Sequence, residues 1–126
     1  STAVAGHVEI DSNVVVGGLS AIHQFAKIGE YAMIGGGSIL VQDIPPFCIC
    51  EGNRAILRSL NINGLRRNFS RDDIDAIKKA YKAIFDSKNP IIDTSKELIN
   101  TTDNEFVKQL ANFVINTKRG IPFARK

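Results

Sequence analysis

Cysteine is scarce in this 126-residue chain, and long apolar runs are missing. The two cysteines, Cys48 and Cys50, form one C-x-C inside an apolar stretch, with no second pair and no histidine nearby. That pattern argues against zinc, which wants four ligands drawn from Cys, His or carboxylates, and two buried, reduced thiols are expected instead. No apolar run approaches the ~18 residues that span a bilayer, so no membrane span is expected. No basic n-region with an apolar h-region opens the chain, and a cytoplasmic location is the expectation. Bases are nearly absent from residues 1–50, where Lys27 stands against Glu9, Asp11, Glu30 and Asp43. The other fifteen of the 16 Lys and Arg fall in residues 51–126, against nine acids. Such a field attracts nucleic acid, a membrane surface, a phosphorylated small molecule or an acidic protein. The bases are not interleaved with aromatics and no nucleic-acid motif is present, so nucleic acid is not an expected partner.

What is present is a repeat. From Val4 in steps of six the residues are Val4, Ile10, Val16, Ile22, Ile28, Ile34 and Leu40. The position four after each reads Val8, Val14, Ser20, Ala26, Ala32, Ser38 and Ile44, always small or aliphatic. A period of six fits neither a helix, with 3.6, nor a simple strand, with 2. It fits a left-handed parallel β-helix, in which three hexads make one triangular coil and each aliphatic residue stacks on its counterpart one coil away. Gly17, Gly29 and Gly35 follow three of the aliphatic residues, as tight corners would require. Seven hexads make little more than two coils, whereas repeat arrays generally need three or more units. The repeat is already in phase at Val4 with no cap before it, so the chain reads as the C-terminal piece of a longer solenoid. The 44% hydrophobic content supports a packed core.

Pro45-Pro46 is expected to end the repeat, since proline cannot donate to a ladder. The organisation expected is coils over 1–46, an extended connector and short helix over 47–69 with a turn at Gly52-Asn53, and a small helical domain over 70–126. Ser70 and Asp73 have capping-box spacing for a helix whose face carries Ile74, Ile77, Tyr81, Ile84 and Phe85. Asn89-Pro90 breaks it. Thr94 with Glu97 predicts a second helix start, and Asp103 a third, leading Phe106, Val107, Leu110, Ala111, Phe113 and Val114, with Gly120 beyond its end.

The runs GLSAIHQFAKIGEYAMIGGGS, QDIPPF, EGNRA and LNINGLRRNFS resemble the second half of the acyl-[acyl carrier protein]–UDP-N-acetylglucosamine O-acyltransferases, the first enzymes of lipid A synthesis. HQF within a hexad and NINGLRR after the double proline discriminate these from generic hexapeptide acetyltransferases. The resemblance implies transfer of a 3-hydroxyacyl group from acyl carrier protein to the 3-position of a UDP-amino sugar, by a homotrimer with sites between neighbouring solenoids. The donor is a thioester and no cofactor or metal is implied. The family's general-base histidine lies about one coil before AGH, so the resemblance implies no catalytic residue in this chain and a fragment inactive alone. His7, His23, Gln24, Asn61 and Arg67 match UDP-sugar site positions, and Gly36 matches the position that limits acyl length. Asn63 stands where the family often has Glu, and Arg54 where it often has His, which leaves the exact acceptor sugar open.

Read directly, His7 and His23 are 16 residues apart, two short of an 18-residue coil, so they should project from nearly corresponding places on adjacent coils. Histidine serves as a base near neutral pH or as a donor to hydroxyl or phosphate; the alternative for each is a structural hydrogen bond. Gly36 is either a corner or room for an acyl chain. Arg66 and Arg67 are either a solvated helix face or, for Arg67 above all, a fork for a diphosphate. Lys78, Lys79 and Lys82 form an exposed cluster suited to an acidic carrier protein. Two rival readings share the solenoid: an acetyl-CoA-dependent sugar acetyltransferase and a non-catalytic trimerisation or scaffold module. A γ-class carbonic anhydrase needs three zinc histidines, and the chain has two.

Overall fold

The computed structural model describes residues 2–123. Seven two-residue strands recur every six residues: β1 (Ala3–Val4), β2 (Glu9–Ile10), β3 (Val15–Val16), β4 (Ala21–Ile22), β5 (Lys27–Ile28), β6 (Met33–Ile34) and β7 (Ile39–Leu40). They stack in parallel on three faces, in the orders β1-β4-β7, β2-β5 and β3-β6. Val4 registers with Ile22 and Ile22 with Leu40, each 18 residues on. The result is a three-faced β-helix. Ile22, Ile28, Ile34 and Leu40 are each at most 2% exposed inside it. Val4 and Ile10, on the first coil, remain exposed.

The corners differ from expectation in their chemistry. Left-handed backbone angles fall on His7, Asn13, Leu19, Phe25, Tyr31 and Gly37, one per hexad, with φ of 59–71°. Gly17, Gly29 and Gly35 are not among them, and they are required for close approach instead. A Cβ on Gly17 would stand 2.4 Å from the Gly36 nitrogen, one on Gly29 2.4 Å from the Pro46 nitrogen, and one on Gly35 2.8 Å from the Glu51 Cβ. Neighbouring backbone at Gly17 and Gly29, and the Glu51 side chain at Gly35, exclude a side chain there, rather than φ.

The repeat also breaks earlier, and continues longer, than the double proline suggests. Ile44 bridges to Ile28 and Cys50 pairs with Ile34, both 16 residues on instead of 18. The turn at Val41–Asp43 is therefore two residues short. Ile44, counted above with the small-residue positions, takes the inward place beside Ile28 and is fully buried. The parallel ladder runs past Pro45-Pro46 into β8 (Cys48–Glu51), which turns back antiparallel into β9 (Ile56–Leu60).

Four helices follow: α1 (Ile62–Asn68), α2 (Arg71–Phe85), α3 (Ile91–Thr101) and α4 (Glu105–Asn116). Ser70 caps α2 as expected, accepting from the Asp73 N–H at 3.2 Å. Two other starts are corrected. Helix α3 begins three residues before Thr94, with Pro90 in the cap position and no side-chain cap bond; proline's fixed φ favours a helix start at that point. The cap of α4 is Asn104, not Asp103, and it accepts from Phe106 and Val107 N–H while donating to Asp73 Oδ1 at 2.9 Å. The helices close a second core around Phe47, Leu65, Ile77, Ile84, Leu110 and Val114. Phe47, Phe69 and Phe106 meet there edge to face, the arrangement that ring quadrupoles favour. Cys48 belongs to this core and Cys50 to the solenoid core. Both are free and buried. Burial pushes the Cys50 thiol up to about 12 and holds Cys48 well above the usual thiol range.

Among the described residues no helix is long and apolar enough to cross a membrane, and no group of three or more His, Cys, Asp or Glu is placed to hold a metal ion.

Candidate functional site

The expected site residues are distributed over different corners of one chain. His7 and Phe25 occupy the same corner of successive coils, both with left-handed φ. Their rings stack with centroids 5.2 Å apart and planes 13° from parallel. The side chain above His7 is thus Phe25, 18 residues on, and not His23. His23 directly follows β4, whose Ile22 registers with Val4 and Leu40, and its N–H donates to the Leu40 carbonyl at 2.9 Å. His23 and Gln24 are exposed on the turn leading to Phe25. His23 lies two residues before Phe25, so the two histidines project from neighbouring, offset places on adjacent coils.

Asn61 and Arg67 lie at another corner. They border a groove of about 740 Å3 between the outer face of β3 and β6, lined by Val15 and Met33, and α1. Asn61 is 8% exposed. Its side chain accepts from Gly64 N–H at 3.2 Å, capping α1, and donates to the Tyr31 carbonyl at 3.0 Å, tying that helix to the second coil. Much of its hydrogen-bonding capacity is therefore structural. Arg67 is exposed at the edge of the groove, and Asn63 is exposed on the same helix. This groove is mainly apolar along its floor and polar along the α1 rim, a division that suits a ligand with an apolar part and a charged part.

Gly36 stands at the third corner, beside Gly18 of the coil before. Its own φ is ordinary, and the left-handed residue is Gly37. A Cβ at position 36 would meet the Gly18 carbonyl oxygen at 3.4 Å, an ordinary contact. The corner therefore does not demand glycine at 36, unlike the crowded positions 17 and 29. Arg54 sits in the turn between β8 and β9 with a left-handed φ of 63°.

Lys79 and Lys82 are exposed on α2, but Lys78 is half-buried. Lys78 instead borders a hollow of about 400 Å3 with Arg66, Phe69, Arg71 and Asp75. The cationic surface thus extends back towards α1 rather than lying wholly on the outer side of α2.

A feature that sequence reasoning missed is the strap after α4. Asp43 is 1% exposed. Its carboxylate accepts from the Lys27 backbone N–H at 2.9 Å, from the Thr117 hydroxyl and from the Arg119 backbone N–H at 3.4 Å. Its own N–H donates to the Gly120 carbonyl at 2.9 Å. A buried carboxylate persists when donors replace its lost water. The sequence signal was an acid set between Gln42 and the apolar Ile44-Pro45-Pro46. Below it, Glu9, Asp11 and Lys27 border a hollow of about 270 Å3 against α4. Burial first, then Glu30 and Glu9, raise the Asp11 carboxyl above its ordinary value, with Lys27 opposing.

Residues 43–122 match a family model described as UDP N-acetylglucosamine O-acyltransferase, domain 2. The chain belongs to that family. The acyl-[acyl-carrier-protein]–UDP-N-acetylglucosamine O-acyltransferase of Nautilia profundicola is 61% identical over 127 residues, covering 100% of this chain and 49% of that protein. The enzyme of the same name from Aliarcobacter butzleri is 60% identical, covering 98% of this chain and 48% of its own. The solved structure of UDP-N-acetylglucosamine acyltransferase from Campylobacter jejuni superposes with a TM-score of 0.94 at 48% identity, over 98% of this chain and 49% of that one. The chain spans about half the length of the relatives it matches.

Proposed function

We propose that this chain is the C-terminal part of an acyltransferase that moves a 3-hydroxyacyl group from acyl carrier protein to the 3-position of UDP-N-acetylglucosamine, the first step of lipid A synthesis. The coil is left-handed and the protein is cytoplasmic. The observation that carries this reading is family membership combined with the split site. His7, His23 and Gln24 occupy one corner and Arg67 another, so the two sets face one ligand when the corner of one copy meets the α1 edge of the next. A homotrimer brings three such pairs together. In the intact enzyme a histidine from preceding coils removes the proton of the sugar's 3-hydroxyl. The oxygen attacks the thioester carbonyl, and the carbon–sulfur bond breaks to release the thiol form of the carrier arm with that proton. No cofactor is needed, and the 126-residue piece alone does not catalyse.

His23 and Gln24 contact the UDP-sugar, Arg67 its diphosphate, and His7 the cleft. Asn61 holds the helix that carries Arg67. Absence of a side chain at Gly36 leaves room for a longer acyl chain. Lys78, Lys79 and Lys82 meet the acidic carrier protein. Of the rival readings, the family match favours the acyl carrier donor over acetyl-CoA.

Calorimetric titration with UDP-N-acetylglucosamine tests the split site. Saturable binding is expected to disappear in His23→Ala and in Arg67→Ala. Mixing the two variants under conditions of subunit exchange is expected to restore part of it, because some interfaces then combine two intact halves. Binding that survives both substitutions would overturn the assignment.

A further inference from the structure

The hollow at the His7 corner carries cations that the reading above does not use. It measures about 420 Å3 and lies between the coils and the strap that follows α4. The stacked His7–Phe25 pair lines it, together with Lys27, Lys118 and Arg119. Two acids border it as well, and both are engaged: Glu9 pairs with Lys27 at 3.8 Å, and the Asp43 carboxylate is taken up by Lys27 N–H, Thr117 Oγ1 and Arg119 N–H. Lys118 and Arg119 have no acidic partner among the described residues. Arg119 is nonetheless held in place. Its Nε donates to the Val41 carbonyl at 3.1 Å, and its own carbonyl accepts from Gln42 Nε2 at 3.2 Å. Two adjacent cations on a fastened strap, beside a flat ring pair, are built for an oxyanion attached to a planar or polar group.

We propose that Lys118 and Arg119 form a phosphoryl subsite on the His7 corner, with Asp43 as the residue that positions them. The ligand class is a phosphate or diphosphate group carried by a substrate of the site described above. The inference rests on that reading only in taking the His7 corner to face substrate. The shortened turn at Val41–Asp43 is what makes the subsite possible, because it brings the carboxylate of Asp43 under the strap.

The test is a two-dimensional NMR titration of the 126-residue chain with inorganic pyrophosphate at constant ionic strength. Saturable shifts are expected at the His7 and Phe25 rings and at the amides of residues 117–120. Lys118→Gln leaves every hydrogen bond of the strap intact and is expected to weaken pyrophosphate at least fivefold. Arg119→Gln is expected to weaken it further, and Arg67→Ala to leave these shifts unchanged. Absence of saturable shifts at the His7 corner overturns the proposal, as does their loss in Arg67→Ala but not in Lys118→Gln. Pyrophosphate shifts of the expected pattern in a chain that does not bind UDP-N-acetylglucosamine support the subsite while the nucleotide-sugar reading fails.

Discussion

In the coils, the partner of a side chain lies one coil away and is chosen by the backbone ladder: Ile22 beside Val4, Leu40 beside Ile22. In the helical region partners are scattered, and side chains choose them. Asn104 at the start of α4 meets Asp73 near the start of α2, 31 residues back, while Gln109 reaches Glu30 of the second coil. The coils therefore depend on what is absent from a side chain, and the helices on what is present. A coil fails when an atom is added between two backbones. A helix pair fails when an atom is removed from the space between them.

The largest expected effect tests the first half of that contrast. Gly29→Ala sets a Cβ 2.4 Å from the Pro46 backbone nitrogen and 2.6 Å from its ring, where no flexible side chain can move aside. A loss of about 4 kcal/mol or more is expected by chemical denaturation. Gly36→Ala, with its nearest contact at 3.4 Å, is expected to change stability by less than about 0.5 kcal/mol. Equal effects of the two would break the comparison. Next comes removal from the helical core. Leu110→Ala, at a fully buried position of α4, is expected to cost about 3 kcal/mol.

A smaller pair of substitutions sharpens the account of the caps. Asn104→Ala is expected to cost about 1 kcal/mol or slightly more, since it removes the one oxygen that accepts from two N–H groups and the link to Asp73. Thr94→Ala should cost far less, because α3 starts at Ile91 and Thr94 lies inside it. A larger loss at Thr94 would contradict the observed start. The smallest effect concerns Asp11, whose folded carboxyl binds its proton more tightly than in the unfolded chain. Its charge therefore opposes folding at neutral pH, and the opposition fades as pH falls through the raised value and is gone below about 4. Asp11→Asn is expected to raise Tm slightly at pH 7 and to leave it unchanged at pH 3, which thermal scans at both pH values check.

The three faces of the coils were legible because each inward position carries an aliphatic side chain every six residues. The corners were not, since His7, Asn13, Leu19, Phe25 and Tyr31 share a backbone angle and nothing in their side-chain chemistry announces it. The two-residue deletion at the last corner was hidden by Ile44, an aliphatic residue that satisfies both the small-residue position of the full repeat and the inward position of the shortened one. Helix α2 announced its start through Ser70. Helix α3 did not, because Pro90 starts it by fixing its own φ without a capping bond. For the site, the motif positions were readable by resemblance. The tie of Asn61 to the second coil and the seat of Arg119 depend on contacts with Tyr31 and Asp43, 30 or more residues distant, and no local pattern encodes them.

Strand β8 is shared property. Cys50 seals the interior of the coils and Cys48, two residues earlier, the interior of the helices. Melting either region peels the same four-residue strand away from the other, so the chain has no seam along which half of it can unfold alone. Protection of the two thiols against an alkylating reagent is then lost at one denaturant concentration, and a pulling force applied to the helices reaches the coils through this short ribbon as well as through the strap that Asp43 holds.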